Sequence, residues 1–284
     1  MSIILKRTAL VKIVKRVSAQ IAADFGQPLA HQGKNGYVGA AGAVTEIDHA
    51  IQADLMVALV GDFMGEEEGQ RDTGSNFVWL VDPLDGTGAR IRGLASSTCI
   101  VTLMEVGDGF GKPILTVIHN PVTNQTWSAE SRSGAYYQYA EGTETRCSLN
   151  TRSALPQKIL STITLWPGDD FRFDEVKAAV QNSALFDNQD FGALGSAHAT
   201  VATGTTHLSA CRAGAAYEAA AAALLMQEAG GVVYDLEGQN LISTGFPIQD
   251  VRGKKTFAIP QGAIVASSEA VANEFIHLVQ SINT

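Results

Sequence analysis

The stretch Trp79-Leu80-Val81-Asp82-Pro83-Leu84-Asp85-Gly86-Thr87 constrains this chain most, because an apolar strand runs straight into two carboxylates three residues apart. Pro83 fixes its own φ near about -65° and lacks a backbone donor, while Gly86 permits a sharp change of direction, so Asp82 and Asp85 can converge on one point. Converging carboxylates repel. The repulsion is relieved by a shared proton, by Arg90 or Arg92, or by a hard divalent cation, and Mg²⁺ suits a carboxylate pair that has further oxygen ligands nearby. The bland alternative is an Asp-Pro-x-Asp-Gly turn on the surface.

Charge narrows what the converging acids can meet. The 284 residues hold 20 basic and 29 acidic side chains, a formal net charge of -9, with 45% hydrophobic residues. That composition is globular, and the length allows one large domain or two smaller ones. Net negative charge without a basic patch argues against a nucleic-acid polymer as partner, and a phosphate bound here needs help from cations. Cys99, Cys147 and Cys211 are an odd set without CxxC spacing or an adjacent His cluster, so neither a disulfide framework nor a zinc site is expected. Basic residues interrupt the apolar positions between Ile3 and Phe25, which argues against a signal peptide or a membrane span and for a cytoplasmic protein. A mitochondrial presequence is the competing reading of that segment.

The periodicity predicts amphipathic helices from Leu5 to Phe25 and from Asp48 to Phe63, the second capped by Thr45 with Asp48 in an acidic variant of the capping box. Strands are then expected at Phe77 to Val81, Thr98 to Val106, Pro113 to Ile118, Thr126 to Ala129 and Ala135 to Tyr139. Short turns between them favour an antiparallel sheet. After Leu149 the pattern alternates: a strand from Lys158 to Thr164, helices near Asp174 to Gln181 and Ala197 to Thr203, and an Ala-rich helix from Tyr217 to Ala229. Strands at Val232 to Tyr234 and Ala263 to Ala266 and a helix from Ser268 to Leu278 complete it. The expectation is a mixed α+β and α/β protein. Residues 1–150 would form helices plus an antiparallel sheet carrying the acidic motifs, and residues 151–284 an α/β half that completes the substrate site.

Further chemistry-bearing residues lie around this frame. Gly65-Glu66-Glu67-Glu68-Gly69 is an acidic run whose glycines let backbone approach a ligand, or simply a solvated loop. Gly195 and Ser196 could open a helix whose amides face an anion. His198 reads as a general base or, more commonly for a lone histidine, as a structural residue. Glu218 starts a helix of alanine and leucine, where it either finds a partner or favours the helix dipole.

Taken together, these segments resemble the inositol monophosphatase-like magnesium-dependent phosphatases, which share a fold with the fructose-1,6-bisphosphatases. Val44-Thr45-Glu46-Ile47-Asp48 resembles that family's VTxxD segment, Gly65-Glu66-Glu67 its GEE segment, and Asp82-Pro83-Leu84-Asp85-Gly86-Thr87 its DPxDGT signature. Gly195-Ser196-Ala197 and Glu228-Ala229-Gly230-Gly231 resemble its C-terminal half. The fold implied is a layered αβαβα sandwich. The resemblance implies Glu66, Asp82 and the Leu84 carbonyl as ligands of one metal, with Asp82, Asp85 and Glu218 around a second. It also implies that Thr87 helps Glu66 orient an attacking water, with Asp48 as an acidic neighbour and Lys34 as a partner of the acidic cluster. Gly86 and Thr87 would offer amides to the phosphate, and Ser196 and Ala197 would lie beside the substrate with Asp85 and Glu218.

The expectation is a Mg²⁺-dependent phosphoric monoester hydrolase acting on a small phosphate monoester through a metal-activated water. A homodimer is the assembly the resemblance suggests. Fructose-1,6-bisphosphate, histidinol phosphate and 3′-phosphoadenosine 5′-phosphate are alternative substrates, and Arg90 or Arg212 in the cleft would favour a second anionic group. A non-catalytic regulator that keeps the fold is the competing class. Three departures bear on this choice. Tyr217-Glu218 replaces the family's Trp-Asp, Cys211 stands where inositol-specific members carry an acid, and Gly88-Ala89-Arg90 replaces x-Asn-Phe, which implies an altered pocket wall.

Overall fold

The computed structural model describes residues 5–23, 25–27, 30–33, 43–67, 69–149, 155–165, 172–212, 215–251, 254–259 and 261–283. Lys34 lies outside them.

Helix α1 (Arg7–Ser18) turns Leu10, Val11, Val14 and Val17 inward and leaves Lys12 and Arg16 in solvent. The single helix expected from Leu5 to Phe25 is interrupted. Ser18 Oγ donates to Val14 O at 2.7 Å, a back-bond that bends helices, and the chain resumes after Ala19 as α2 (Gln20–Ala23). Two short strands, β1 (Gln32–Gly33) and β2 (Ala43–Val44), pair antiparallel. In α3 (Glu46–Ala58) the expected cap is present: the Asp48 carboxylate accepts from the Thr45 amide at 2.8 Å and from the Thr45 hydroxyl. The helix stops five residues short of Phe63, because Leu59 is extended, Gly61 adopts φ 110°, and Phe63 joins strand β3 (Asp62–Gly65).

Strands β4 (Gln70–Arg71), β5 (Phe77–Asp85), β6 (Thr98–Gly107), β7 (Phe110–Asn120), β8 (Gln125–Glu130), β9 (Gly134–Tyr139) and β10 (Thr145–Arg146) extend that sheet in the order β10-β9-β8-β7-β6-β5-β3-β4. Its neighbours are antiparallel, as expected, except β3 and β5, which run parallel. Both faces are covered. Trp79 and Val81 pack with α1 and α3 on one side, and Val78 and Leu80 with a core on the other. A strand buried on both faces reads as a continuous apolar run, which is why Phe77 to Val81 lacks alternation.

The second sheet has the order β12-β11-β13-β17-β14, built from β11 (Ile159–Leu165), β12 (Phe186–Asn188), β13 (Leu208–Arg212), β14 (Val232–Tyr234) and β17 (Ala263–Ala266). It is mixed, β11 running parallel to β12 and β13 and the other pairs antiparallel. Helix α4 (Thr87–Ile91) follows β5, and α5 (Phe173–Asn182) and α9 (Glu269–Asn283) cover the outer face of this second sheet. Between the sheets lie α6 (Leu194–Ala202) and α7 (Tyr217–Ala229). Six positions of α7 from Ala219 to Leu224 are essentially without solvent contact, so the alanines are there to let two sheets approach one helix from both sides. Helix α8 (Leu241–Thr244) precedes β15 (Phe246–Val251) and β16 (Lys254–Phe257), a hairpin that returns to β7. The result is the expected αβαβα layering. No helix among the described residues is long and apolar enough to cross a membrane.

Candidate active site and metal centre

The parallel pairing of β3 with β5 builds the first half of the site. Gly65 registers with Val81, and the Glu66 amide donates to Val81 O at 2.8 Å, so Glu66 leaves its strand beside Asp82. The acidic run is therefore not a detached solvated loop: Glu67 is buried and its amide donates to Gln52 Oε1 at 2.9 Å. Strand β5 continues through Asp85, but its register with β6 shifts between Asp82 and Asp85, and the Leu84 amide closes back on Asp82 Oδ1 at 3.0 Å. That irregularity points both carboxylates the same way. Asp82 is 2% and Asp85 5% exposed, which overturns the surface-turn alternative.

The second half of the site comes from the helices between the sheets. Asp85 accepts from the Leu194 and Gly195 amides at 3.1 and 2.8 Å and from Thr98 Oγ1 at 2.8 Å, so this carboxylate docks the start of α6 onto the end of β5. The anion expected on the first amides of that helix is thus Asp85 itself. Gly86, at φ 76°, sits against Ala193, where an added Cβ would come within 2.5 Å of the alanine Cβ. Glu218, at the start of α7, brings a carboxylate oxygen into one group with those of Asp82 and Asp85, all within 4.8 Å of one another. The extra methylene relative to aspartate does not keep it from the cluster.

Three converging acids with little solvent leave an electrostatic signature. Burial holds the Asp82 carboxyl well above the ordinary carboxylate range, and Glu66, Asp85 and Glu218 push the same way, with a hydrogen bond to Glu66. Burial raises Asp85 to about 6 against the opposing bonds from Gly195, Thr98 and Leu194. Arg90 does not relieve this charge: it is buried, with Nε donating to Ile21 O at 3.2 Å and its guanidinium over the Phe25 ring, while the side chain of Arg212 lies outside the described residues. Arg90 also does not stand in the cleft as a second anion site. The donor set is all oxygen, largely buried and mutually repulsive, and it fits a hard divalent cation.

Beside the cluster, Thr87 Oγ1 lies 3.0 Å from Asp48 Oδ1 and 2.9 Å from Leu84 O. Asp48 is buried, and burial raises its carboxyl above the usual range despite the bonds from Thr45 and Thr87. Its capping role and its place beside Thr87 coexist. Ser196 is buried with its hydroxyl donating to Ser96 O, and Ala197 follows it in the first turns of α6.

Other sequence candidates lie elsewhere. His198 has no solvent contact, binds Ser209 Oγ through Nδ1 at 2.8 Å and meets Cys211 Sγ through Nε2 at 3.6 Å, and burial lowers it to about 4. It is a structural histidine. Glu228 accepts from the Arg132 and Gly134 amides at 2.7 and 2.8 Å and so fastens the β8–β9 turn. Sequence reasoning missed Thr98 and Gln52, whose contacts with Asp85 and Glu67 are made across the fold and leave no local motif.

Carboxylates gathered by a DPxDGT strand end and the start of an interior helix form a group that could hold a metal ion. A model of the "Inositol monophosphatase family" matches residues 6–284, and the chain belongs to that family. Similar curated proteins include the inositol-1-monophosphatase of Rhizobium meliloti, 29% identical over 95% of this chain and 94% of the relative. The histidinol-phosphatase of Mycobacterium tuberculosis is 28% identical over 69% of this chain and 75% of the relative. The Nus factor SuhB of Pasteurella multocida is 24% identical over 84% and 82%. Among solved structures, the extragenic suppressor protein suhB of Bartonella henselae aligns with a TM-score of 0.75 at 22% identity, over 95% of this chain and 96% of that one. An IMPase/NADP phosphatase complexed with Mg²⁺ and phosphate aligns at 0.68 and 17%, over 95% and 92%.

Proposed function

We propose that this chain is a Mg²⁺-dependent phosphatase that hydrolyses a small phosphate monoester by direct attack of water, without a phosphoenzyme. The observation that carries the reading is the group of Asp82, Asp85 and Glu218 oxygens within 4.8 Å, in a place where bare carboxylates are costly. Glu66, Asp82 and the Leu84 carbonyl would hold one cation, and Asp82, Asp85 and Glu218 a second. Bound there, the cations supply positive charge against the phosphoryl oxygens and lower the pKa of water.

The chain's own residues do the rest. Thr87, with Asp48 at 3.0 Å as its acceptor, keeps its hydroxyl oxygen fixed, and with Glu66 it orients the attacking water. The Gly86 and Thr87 amides face the phosphate, and Ser196 and Ala197 line the side where the leaving alcohol sits. Cys211, buried and set against His198, brings no carboxylate to a polyol, so inositol is one substrate among several in this reading. Histidinol phosphate, fructose-1,6-bisphosphate and 3′-phosphoadenosine 5′-phosphate are the others.

A panel of these monoesters, assayed with and without Mg²⁺, tests the proposal. Hydrolysis that requires Mg²⁺ and is lost in Asp85→Asn is expected. Mg²⁺-independent hydrolysis, or full activity in Asp85→Asn, overturns it. The second reading, a regulator without turnover, is favoured by the similarity to a protein named Nus factor SuhB, and it predicts no hydrolysis of any member of the panel at saturating Mg²⁺.

A further inference from the structure

Tyr217 precedes Glu218 at the start of α7 and is buried, yet it is the first residue of a helix whose following positions are alanine. An apolar side chain would fill the same volume. Its phenol hydroxyl instead donates to the Gly65 carbonyl at 3.2 Å and receives a bond from Thr256 Oγ1 at 3.5 Å. Gly65 is the residue before Glu66. The peptide that carries Glu66 is therefore held from two directions: by Val81 O on the Glu66 amide at 2.8 Å, and by the phenol from α7 on the Gly65 carbonyl. Gly65 has no room to shift toward Gln52, since even a Cβ would stand 2.2 Å from Gln52 Oε1.

We propose that Tyr217 is a positioning residue for cation binding, its hydroxyl setting the distance between the Glu66 strand end and the α7 end that carries Glu218. The inference rests on the cation reading above. The phenol bond runs from the helix that carries Glu218 directly to the carbonyl of the residue before Glu66, so it couples the segments that carry these two carboxylates. Tyr217→Phe keeps the ring and removes this coupling.

Mn²⁺ binding to the full chain, followed as free Mn²⁺ by electron paramagnetic resonance, tests this without any turnover. The Tyr217→Phe protein should bind Mn²⁺ about threefold to tenfold more weakly than wild type, the loss expected of one buried hydrogen bond. In a Glu66→Gln background the same substitution should have no further effect, because the phenol acts through the Glu66 peptide. Wild-type affinity in Tyr217→Phe overturns the proposal, and so does an equal loss in both backgrounds, which marks general loosening of the fold. If wild type itself binds no Mn²⁺, the cation reading fails first. Should Tyr217→Phe not fold, Thr256→Val carries the test: weaker Mn²⁺ binding supports the role of the phenol, and unchanged binding overturns it.

Discussion

Asp85 depends on an uncharged neighbour that has no chemistry of its own. Thr98 donates to Asp85 Oδ2 at 2.8 Å from the adjacent strand. Groups that orient a ligand carboxylate typically matter about 10- to 100-fold in metal affinity or activity, so Thr98→Val should raise the Mg²⁺ concentration for half-maximal activity by about tenfold while the fold persists. A metal titration of the variant checks this, and an unchanged midpoint would show that Leu194 and Gly195 suffice to hold Asp85. Residues far from the cluster carry a separate pH signature. His119 is buried, with Nδ1 near Gln125 O at 3.0 Å and Thr126 Oγ1 at 2.9 Å, and burial lowers it from 6.5 to about 4. The unfolded chain therefore takes up this proton first, and the stability that neutral His119 contributes is lost as pH falls from 6.5 toward 4. The raised carboxyls of Asp48 and Asp85 act in the opposite sense, gaining stability for the metal-free protein as pH falls. The clean measurement is a difference: the advantage of wild type over His119→Asn in urea unfolding should shrink by on the order of 1 kcal/mol between pH 7 and pH 5.

At the scale of elements, the junction of β5 with α6 decides whether the site exists. Gly195 lets Asp85 reach two helix amides, and a Cβ there would stand 2.3 Å from Thr98 Oγ1 and 3.0 Å from Asp85 Oδ2. Gly195→Ala should destabilise the chain by about 1–3 kcal/mol in denaturant unfolding, since the crowded atoms are a buried hydroxyl and carboxylate already committed to bonds. It should also raise the Mg²⁺ concentration needed for half-maximal activity, because Asp85 must move. The same scale explains what was legible in the sequence. The Asp82 to Thr87 signature could be read because its geometry is local: a proline, a glycine and two acids within six residues. That Glu66 stands beside Asp82 was legible only through the family resemblance, because physically it follows from a parallel pairing between strands separated by a connection. Strand β13 was missed for a related reason. Its Ser209 looks polar in sequence but is buried against His198, so the pattern that would mark a strand is completed only by the partner helix. Strand β3 reads in sequence as the end of α3, since Phe63 continues the apolar helical spacing and only pairing with Trp79 pulls it into the sheet.

For the whole molecule, α7 is the element both sheets need. Its alanines belong to a core that also contains Leu80, Ile100 and Trp127 of the first sheet and Cys211, Val233 and Val265 of the second. Neither sheet keeps its inner face covered if this helix leaves, and the carboxylate it presents leaves with it. Unfolding should therefore be one event for the two sheets, although a chain of this size often populates intermediates. Hydrogen exchange measures this directly: amides of β6 in the first sheet and of β17 in the second should open with the same free energy, shifted together by denaturant. Enlarging the shared helix sharpens the test. Ala221 is fully buried between the sheets, so the three carbons added by Ala221→Leu should overpack the core and lower the stability of both sheets equally, by about 1–3 kcal/mol or more. Protection lost in β17 but retained in β6 would mean that the first sheet stands alone. The Asp82 and Asp85 pair would then persist without Glu218, and cation binding would be separable from the second half of the chain.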